Sequence, residues 1–293
     1  MARQKTQKDG FWETLKTVFW ALVIAMVFRS ALYQPFSIPS GSMKPSLLVG
    51  DYLFVSKFAY GYSHYSLPFA PDWFDGRIWS ELPERGDVVV FKRPGADACT
   101  QGPIDLVVNL AASLTSSRPT APNDCIDYVK RVVGLPGDRI QVKAGILHIN
   151  GQALETVRSG DFVEPKVKRG SPPSFPRCTN DPVSPGGDCL KEHWRETLPN
   201  GTVHSVLNLT GLIGDTSAPR YRDSDNTPEF AVPEDHLFFM GDNRDNSVDS
   251  RAAVGMVPFE NLMGRAEVIA ISSHGPFWQV WNWRFDRLFK SID

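Results

Sequence analysis

Little in this sequence speaks for a metal site, a nucleic-acid partner or a repeat architecture. Only four cysteines occur among 293 residues. Cys99, Cys125, Cys178 and Cys189 form no C-x-x-C pair and have no histidine beside them at zinc-ligand spacing, so nothing points to a metal. A formal net charge of −2 gives no electrostatic case for nucleic acid. Internal repeats and low-complexity tracts are absent. Strongly apolar runs are scarce too: there is one, and the rest of the chain, at 42% hydrophobic and 22% charged overall, has a globular composition and length for one or two domains. In an oxidising compartment the even cysteine count favours bridges. Cys178 with Cys189 comes first, because that bond would close a Pro/Gly-rich loop with no other restraint, and Cys99 with Cys125 second; other pairings or free thiols stay open.

The one apolar run is Thr17 to Phe28, with no charge, extended by Phe11, Trp12 and Leu15 before it and by Ala31, Leu32 and Tyr33 after it. It reads as a single transmembrane helix over 11–33, the Arg29 stem snorkelling to lengthen it. Arg3, Lys5, Lys8 and Lys16 precede most of it, which keeps residues 1–10 in the cytoplasm and sends the chain after Gln34 across the membrane. A cleaved signal peptide competes with this reading, but Gln34-Pro35-Phe36 is a poor small-residue cleavage site.

Just beyond that segment lies Ile38-Pro39-Ser40-Gly41-Ser42-Met43-Lys44-Pro45-Ser46-Leu47. Pro39 and Gly41 break regular structure and present Ser42 on a bend. Further on, short apolar and β-branched runs separated by turn residues predict strands: Asp51 to Phe58, Gly86 to Lys92, Tyr128 to Val133, Arg139 to Val142, Ile146 to Ile149, Leu237 to Met240 and Ala266 to Ser272. Asn150-Gly151 is a hairpin signal. The fold class is therefore mainly β, with a core over 34–151 and 227–275. Residues 152–226, looser in pattern, read as an inserted smaller β subdomain, and Arg93 to Asp124 as an insertion without a role. In 276–293, Phe277, Trp281, Phe285 and Leu288 fall near helical spacing with Arg284, Arg287 and Lys290 interleaved, which suggests an amphipathic helix at a lipid surface.

A serine hydroxyl attacks carbonyl carbon only when a base takes its proton. His64, His148, His193, His204, His236 and His274 are available, yet none is singled out by an adjacent orienting acid. A lysine serves if burial disfavours its charged form. Lys130, between Tyr128, Val129, Val132 and Val133 on a predicted strand, is the first choice, and Lys44 the second.

Taken in order, the apolar segment, Phe36 to Phe58, Gly86 to Lys92, Asp127 to Asp138 and Gly241 to Arg251 resemble bacterial type I signal peptidases, membrane-anchored serine proteases that remove signal peptides from exported preproteins. The resemblance implies Ser42 as nucleophile, Lys130 as general base, and the Ser40 hydroxyl with the Ser42 N–H as oxyanion donors. It also implies Ser247 within reach of the lysine amine, and Asp242, Asp249, Arg251 and Arg131 in supporting ion pairs. A groove for Ala-x-Ala cleavage sites would involve Phe36, Ile38, Leu47, Asp127 and Val129. The family's fold is an all-β catalytic core with a second β subdomain, and it needs no metal or organic cofactor. Its members act on preprotein signal peptides at the bacterial inner membrane, against lipid, with the catalytic domain on the extracytoplasmic side. Lys44 beside the serine and the Arg93 to Asp124 excursion depart from that pattern.

Two rivals are weighed against it. A self-cleaving Ser-Lys domain of the SOS-repressor kind calls for a helix-turn-helix before the serine, where this chain has an apolar segment. A membrane-anchored β-rich binding protein would make the Ser/Lys pair incidental, and acylation of Ser42 by an inhibitor separates it from an enzyme.

Overall fold

The computed structural model describes residues 7–66, 76–95, 127–209 and 225–292. Cys99, Cys125, most of the Arg93 to Asp124 excursion and the N-terminal Arg3 and Lys5 lie outside the described residues. Helix α1 spans Gln7–Ala31. It stops short of Tyr33, which opens a strand instead. Among the described residues no helix is long and apolar enough to cross a membrane.

Everything after α1 is β-structure and short turns. The strands are β1 (Tyr33–Ser37), β2 (Asp51–Ser56), β3 (Val88–Lys92), β4 (Asp127–Gly134) and β5 (Arg139–Lys143). There follow β6 (Ile146–Ile149), β7 (Gln152–Ala153), β8 (Glu155–Pro165), β9 (Asp188–Thr197) and β10 (Val203–Asn208). The last are β11 (Phe230–Ala231), β12 (His236–Met240), β13 (Val257–Pro258), β14 (Leu262–Ser272) and β15 (Lys290–Ser291). The large sheet has the order β1-β2-β14-β3-β4-β12-β13, with β15 also pairing β14. Two smaller sheets run β10-β9-β8 and β11-β5-β6-β7. β7, beyond the expected boundary at Gly151, pairs with β6 and so belongs to that hairpin sheet.

Strand β3 explains its own uninterrupted apolar run. Val88 and Val90 enter one core cluster while Val89 and Phe91 enter another, so both faces are covered and no alternation is needed. The first of these clusters also holds Ile38, Met43 and Leu47. The loop that carries Ser42 is thus rooted in the core by its own apolar side chains. It is closed at its base by Ile38 N–H to the Asp51 carbonyl at 2.8 Å and Gly50 N–H to the Ile38 carbonyl at 3.0 Å.

The C-terminal segment does not form the expected amphipathic helix. It makes single 3-10 turns at Val280–Asn282 and Phe285–Arg287 before adding β15 to the large sheet. Arg284 and Arg287 turn inward rather than toward solvent, while Trp278, Trp281, Phe285 and Phe289 are exposed. A disulfide joins Cys178 and Cys189, whose Cα atoms are 5.0 Å apart.

Candidate active site

Ser42 meets Lys130 because two segments far apart in sequence fix each from behind. Lys130 lies on β4 opposite Val89 of β3, in the middle of the large sheet, and is 3% exposed. Its amine donates to Ser42 Oγ at 2.5 Å and stands 5.9 Å from the centroid of the Tyr128 ring. Ser40 Oγ lies 3.4 Å from Ser42 Oγ. None of the six histidines is hydrogen-bonded to Ser42; His193 contacts Ser205 and His148 a local carbonyl. His204 is buried, and burial takes it down to about 4, so it is neutral.

The Gly241 to Arg251 turn holds the serine loop by its backbone. Asn243 N–H donates to the Ser42 carbonyl at 3.0 Å, and Asn243 Nδ2 to the Gly41 carbonyl at 2.8 Å. Gly241 is required by this approach: a Cβ there would stand 2.2 Å from Ser247 Oγ and 2.7 Å from the Ser42 carbonyl oxygen. Two buried ion pairs stiffen the turn. Arg131 grips Asp242 with Nε and Nη2, each at 2.9 Å, and Arg251 grips Asp249 with Nε at 3.0 Å and Nη2 at 2.9 Å. Such forked pairs are directional as well as strong. Burial alone would raise both carboxyls, but the facing guanidinia hold Asp242 and Asp249 below the usual carboxylate range.

The electrostatics at Lys130 follow from this frame. Burial pushes its amine down to about 8; Asp249 and Asp242 pull it up, and Arg251 pushes it down again. An amine in that range is partly neutral at physiological pH and can accept a hydroxyl proton, which an ordinary lysine does poorly.

Not every expected contact is made. Ser247 is packed against Gly241 and beside the Asp249 carboxylate, and it forms no hydrogen bond with the Lys130 amine. Phe36, Ile38, Leu47 and Val129 do share one apolar cluster. Leu47, however, is wholly buried, so it presents no surface to a peptide, and Ile38 is nearly so. Asp127 carries an ion pair with Lys92 at 2.6 Å. Lys44 is tied to Glu164, whose other oxygen lies 2.8 Å from Lys191 Nζ. Its amine is therefore engaged away from Ser42.

Several residues here carry no signal in the sequence. Asn243 reads as one more Asx residue in a turn, and the reach of Glu164, Lys191, Arg284 and Arg287 to the serine loop depends on contacts between distant segments. The interleaved arginines of the C-terminal segment were the available hint, and their spacing suggested a different use.

A serine hydroxyl against a buried lysine on a β-sheet defines the class, a serine hydrolase site that works without histidine. A family model described as signal peptidase, peptidase S26, matches residues 11–271. Signal peptidase I of Rickettsia typhi is 36% identical over 278 residues, 94% of this chain and 85% of that protein. The Rickettsia prowazekii protein of the same name is 36% identical over 263 residues, 88% and 80% of the two chains. A solved signal peptidase I from Enterococcus faecalis, 17% identical, covers 63% of this chain and 97% of that one at a TM-score of 0.28, a likeness too slight to carry any argument. The chain belongs to the signal peptidase family, peptidase S26, and is a serine endopeptidase.

Proposed function

We propose that this endopeptidase removes signal peptides from exported preproteins with Ser42 as nucleophile and Lys130 as general base, anchored in the bacterial inner membrane by its N-terminal helix. The observation that carries the reading is the 2.5 Å contact between the Lys130 amine and Ser42 Oγ in a buried setting. Neutral Lys130 takes the Ser42 proton as Oγ bonds to the scissile carbonyl carbon. The oxygen of that carbonyl gathers charge, and the Ser40 hydroxyl with the Ser42 N–H stabilises it; donors of this kind contribute about 3 kcal/mol each. The Lys130 ammonium then protonates the departing amine as the C–N bond breaks. Water, giving its proton to the same amine, attacks the acyl ester, and Ser42 recovers its hydrogen as the ester bond breaks.

Arg131 with Asp242, and Arg251 with Asp249, serve as the supporting ion pairs, and Ser247 as packing beneath Gly241. An extended peptide would add to the outer edge of β1, which ends the order of the large sheet. Phe36 and Val129, both only partly buried, are the residues proposed to shape shallow pockets for small side chains, with Ile38 and Leu47 behind them and Asp127 at the rim. Large apolar side chains exposed along α1, among them Phe11, Trp12, Phe19, Trp20 and Leu22, support lipid around the helix. Basic residues before it support a cytoplasmic N-terminus and an extracytoplasmic catalytic body.

The test is substitution at the dyad. Lys130→Ala and Ser42→Ala are each expected to abolish preprotein cleavage while the far-UV and near-UV circular dichroism stay those of the parent. Turnover retained by Lys130→Ala would remove that amine from the chemistry.

A further inference from the structure

The C-terminal segment lies beyond residue 271, where the family match ends. Two of its side chains nevertheless reach the loop that carries Ser42. Arg287 Nη2 donates to the Ser46 carbonyl at 2.9 Å and to Asp51 Oδ2 at 2.7 Å. Arg284 Nη2 donates to the Val49 carbonyl at 2.6 Å and to the Ser273 carbonyl at 2.8 Å. Between them sits Asp51, wholly buried, which also accepts from Ser272 Oγ at 2.5 Å and from the Leu48 N–H at 2.8 Å.

The chemistry explains why arginine is used. The Ser46 and Val49 carbonyls sit in an irregular loop with no strand partner, and a buried carbonyl without a donor is costly. A guanidinium has five N–H groups in a fixed fork, so one side chain satisfies a carboxylate and a carbonyl together. Ser46 is where two grips meet: its carbonyl accepts from Arg287, and its hydroxyl donates to Asp242 Oδ2 at 2.5 Å. Asp242 adjoins Asn243, which holds the backbone of Gly41 and Ser42. The serine loop is therefore clamped on one flank by the Gly241 to Arg251 turn and on the other by the C-terminal segment.

We propose that Arg287, with Arg284 and Asp51, is a positioning residue for peptide cleavage, a clasp that sets Ser42 Oγ at its bonding distance from the Lys130 amine. The proposal rests on the assignment of Ser42 and Lys130 given above. A loop displaced by about 1 Å loses on the order of a hundredfold in rate, although nothing that touches the substrate has changed.

The experiment uses the full chain and a preprotein substrate, comparing the parent, Ser42→Ala, Arg287→Met and Arg287→Lys. Each is read by thermal melt, by KM and by kcat per folded molecule. Arg287→Met is expected to lower kcat about ten- to a hundredfold with KM little changed, and its acid limb should stay where the parent's lies. Arg287→Lys, which keeps a cation against Asp51, should recover part of the rate; should the methionine variant not accumulate, the lysine variant carries the same readouts. Parent-like kcat per folded molecule, or a loss wholly accounted for by missing folded protein, would overturn the clasp. Cleavage by Ser42→Ala would instead overturn the assignment of the site, and the two failures are distinguishable.

Discussion

Lys130 is made useful by what surrounds it. In water a lysine with its ordinary value near 10.4 is neutral in only about one molecule in 2,500 at pH 7; with the amine at about 8, roughly one in ten is neutral. The sign follows directly: the reacting form is the unprotonated one, so activity is lost as pH falls through the folded value. We expect kcat/KM to rise to an inflection near 8 and to decline about tenfold per pH unit on the acid side. Asp249→Asn removes a charge that pulls the amine up and leaves Arg251, which pushes it down, so the inflection should move to lower pH. A profile flat well below neutrality would exclude an amine base. The apolar flanks of Lys130 were legible from strand alternation. The influence of Asp242 and Asp249 was not, because neighbours supplied from another part of the chain leave no periodicity in the sequence.

At the scale of elements, strands buried on both faces or alternating cleanly were legible, as β3, β4 and the Asn150-Gly151 hairpin demonstrate. Strand β8 was not, since nearly all its side chains are exposed or half-buried and its pattern carries no contrast. The C-terminal aromatics were read as helical because successive 3-10 turns also return apolar residues every three or four positions. Strand β8 matters nonetheless, for Glu164 near its end bridges Lys44 of the serine loop and Lys191 of β9. Just beyond it, Ser171 N–H donates to the Pro39 carbonyl at 3.1 Å. The β8–β9 pair is thus a third support for the loop, and its charge count can be tested. Glu164→Gln leaves two buried amines without their carboxylate and is expected to cost about 3 kcal/mol in denaturant melts. Lys44→Met leaves the Glu164 to Lys191 pair intact and should cost far less. Equal losses in the two variants would show that packing, not charge pairing, holds this junction.

For the whole molecule, the question is what the N-terminal helix contributes to a site it does not build. The side chains that contact Ser42 and Lys130 belong to the β-structured body, and the helix touches that body through few bonds: the Ala31 carbonyl accepts from Tyr62 Oη at 2.6 Å and the Leu32 carbonyl from Lys57 N–H at 2.9 Å. A chain beginning at Ala31 keeps both acceptors and all of β1. Such a chain should leave the membrane fraction on alkaline extraction, while the full chain stays. Against a short peptide in solution its kcat/KM should match that of the full chain. Against a preprotein embedded in vesicles it should fall by about a hundredfold, because confinement to one surface raises effective concentration by that order. A shortened chain that remains with the vesicles would transfer the anchoring role to the exposed Trp278, Trp281, Phe285 and Phe289. Their segment is bound to the serine loop through Arg284 and Arg287, so lipid contact there would bear on the same loop that presents Ser42.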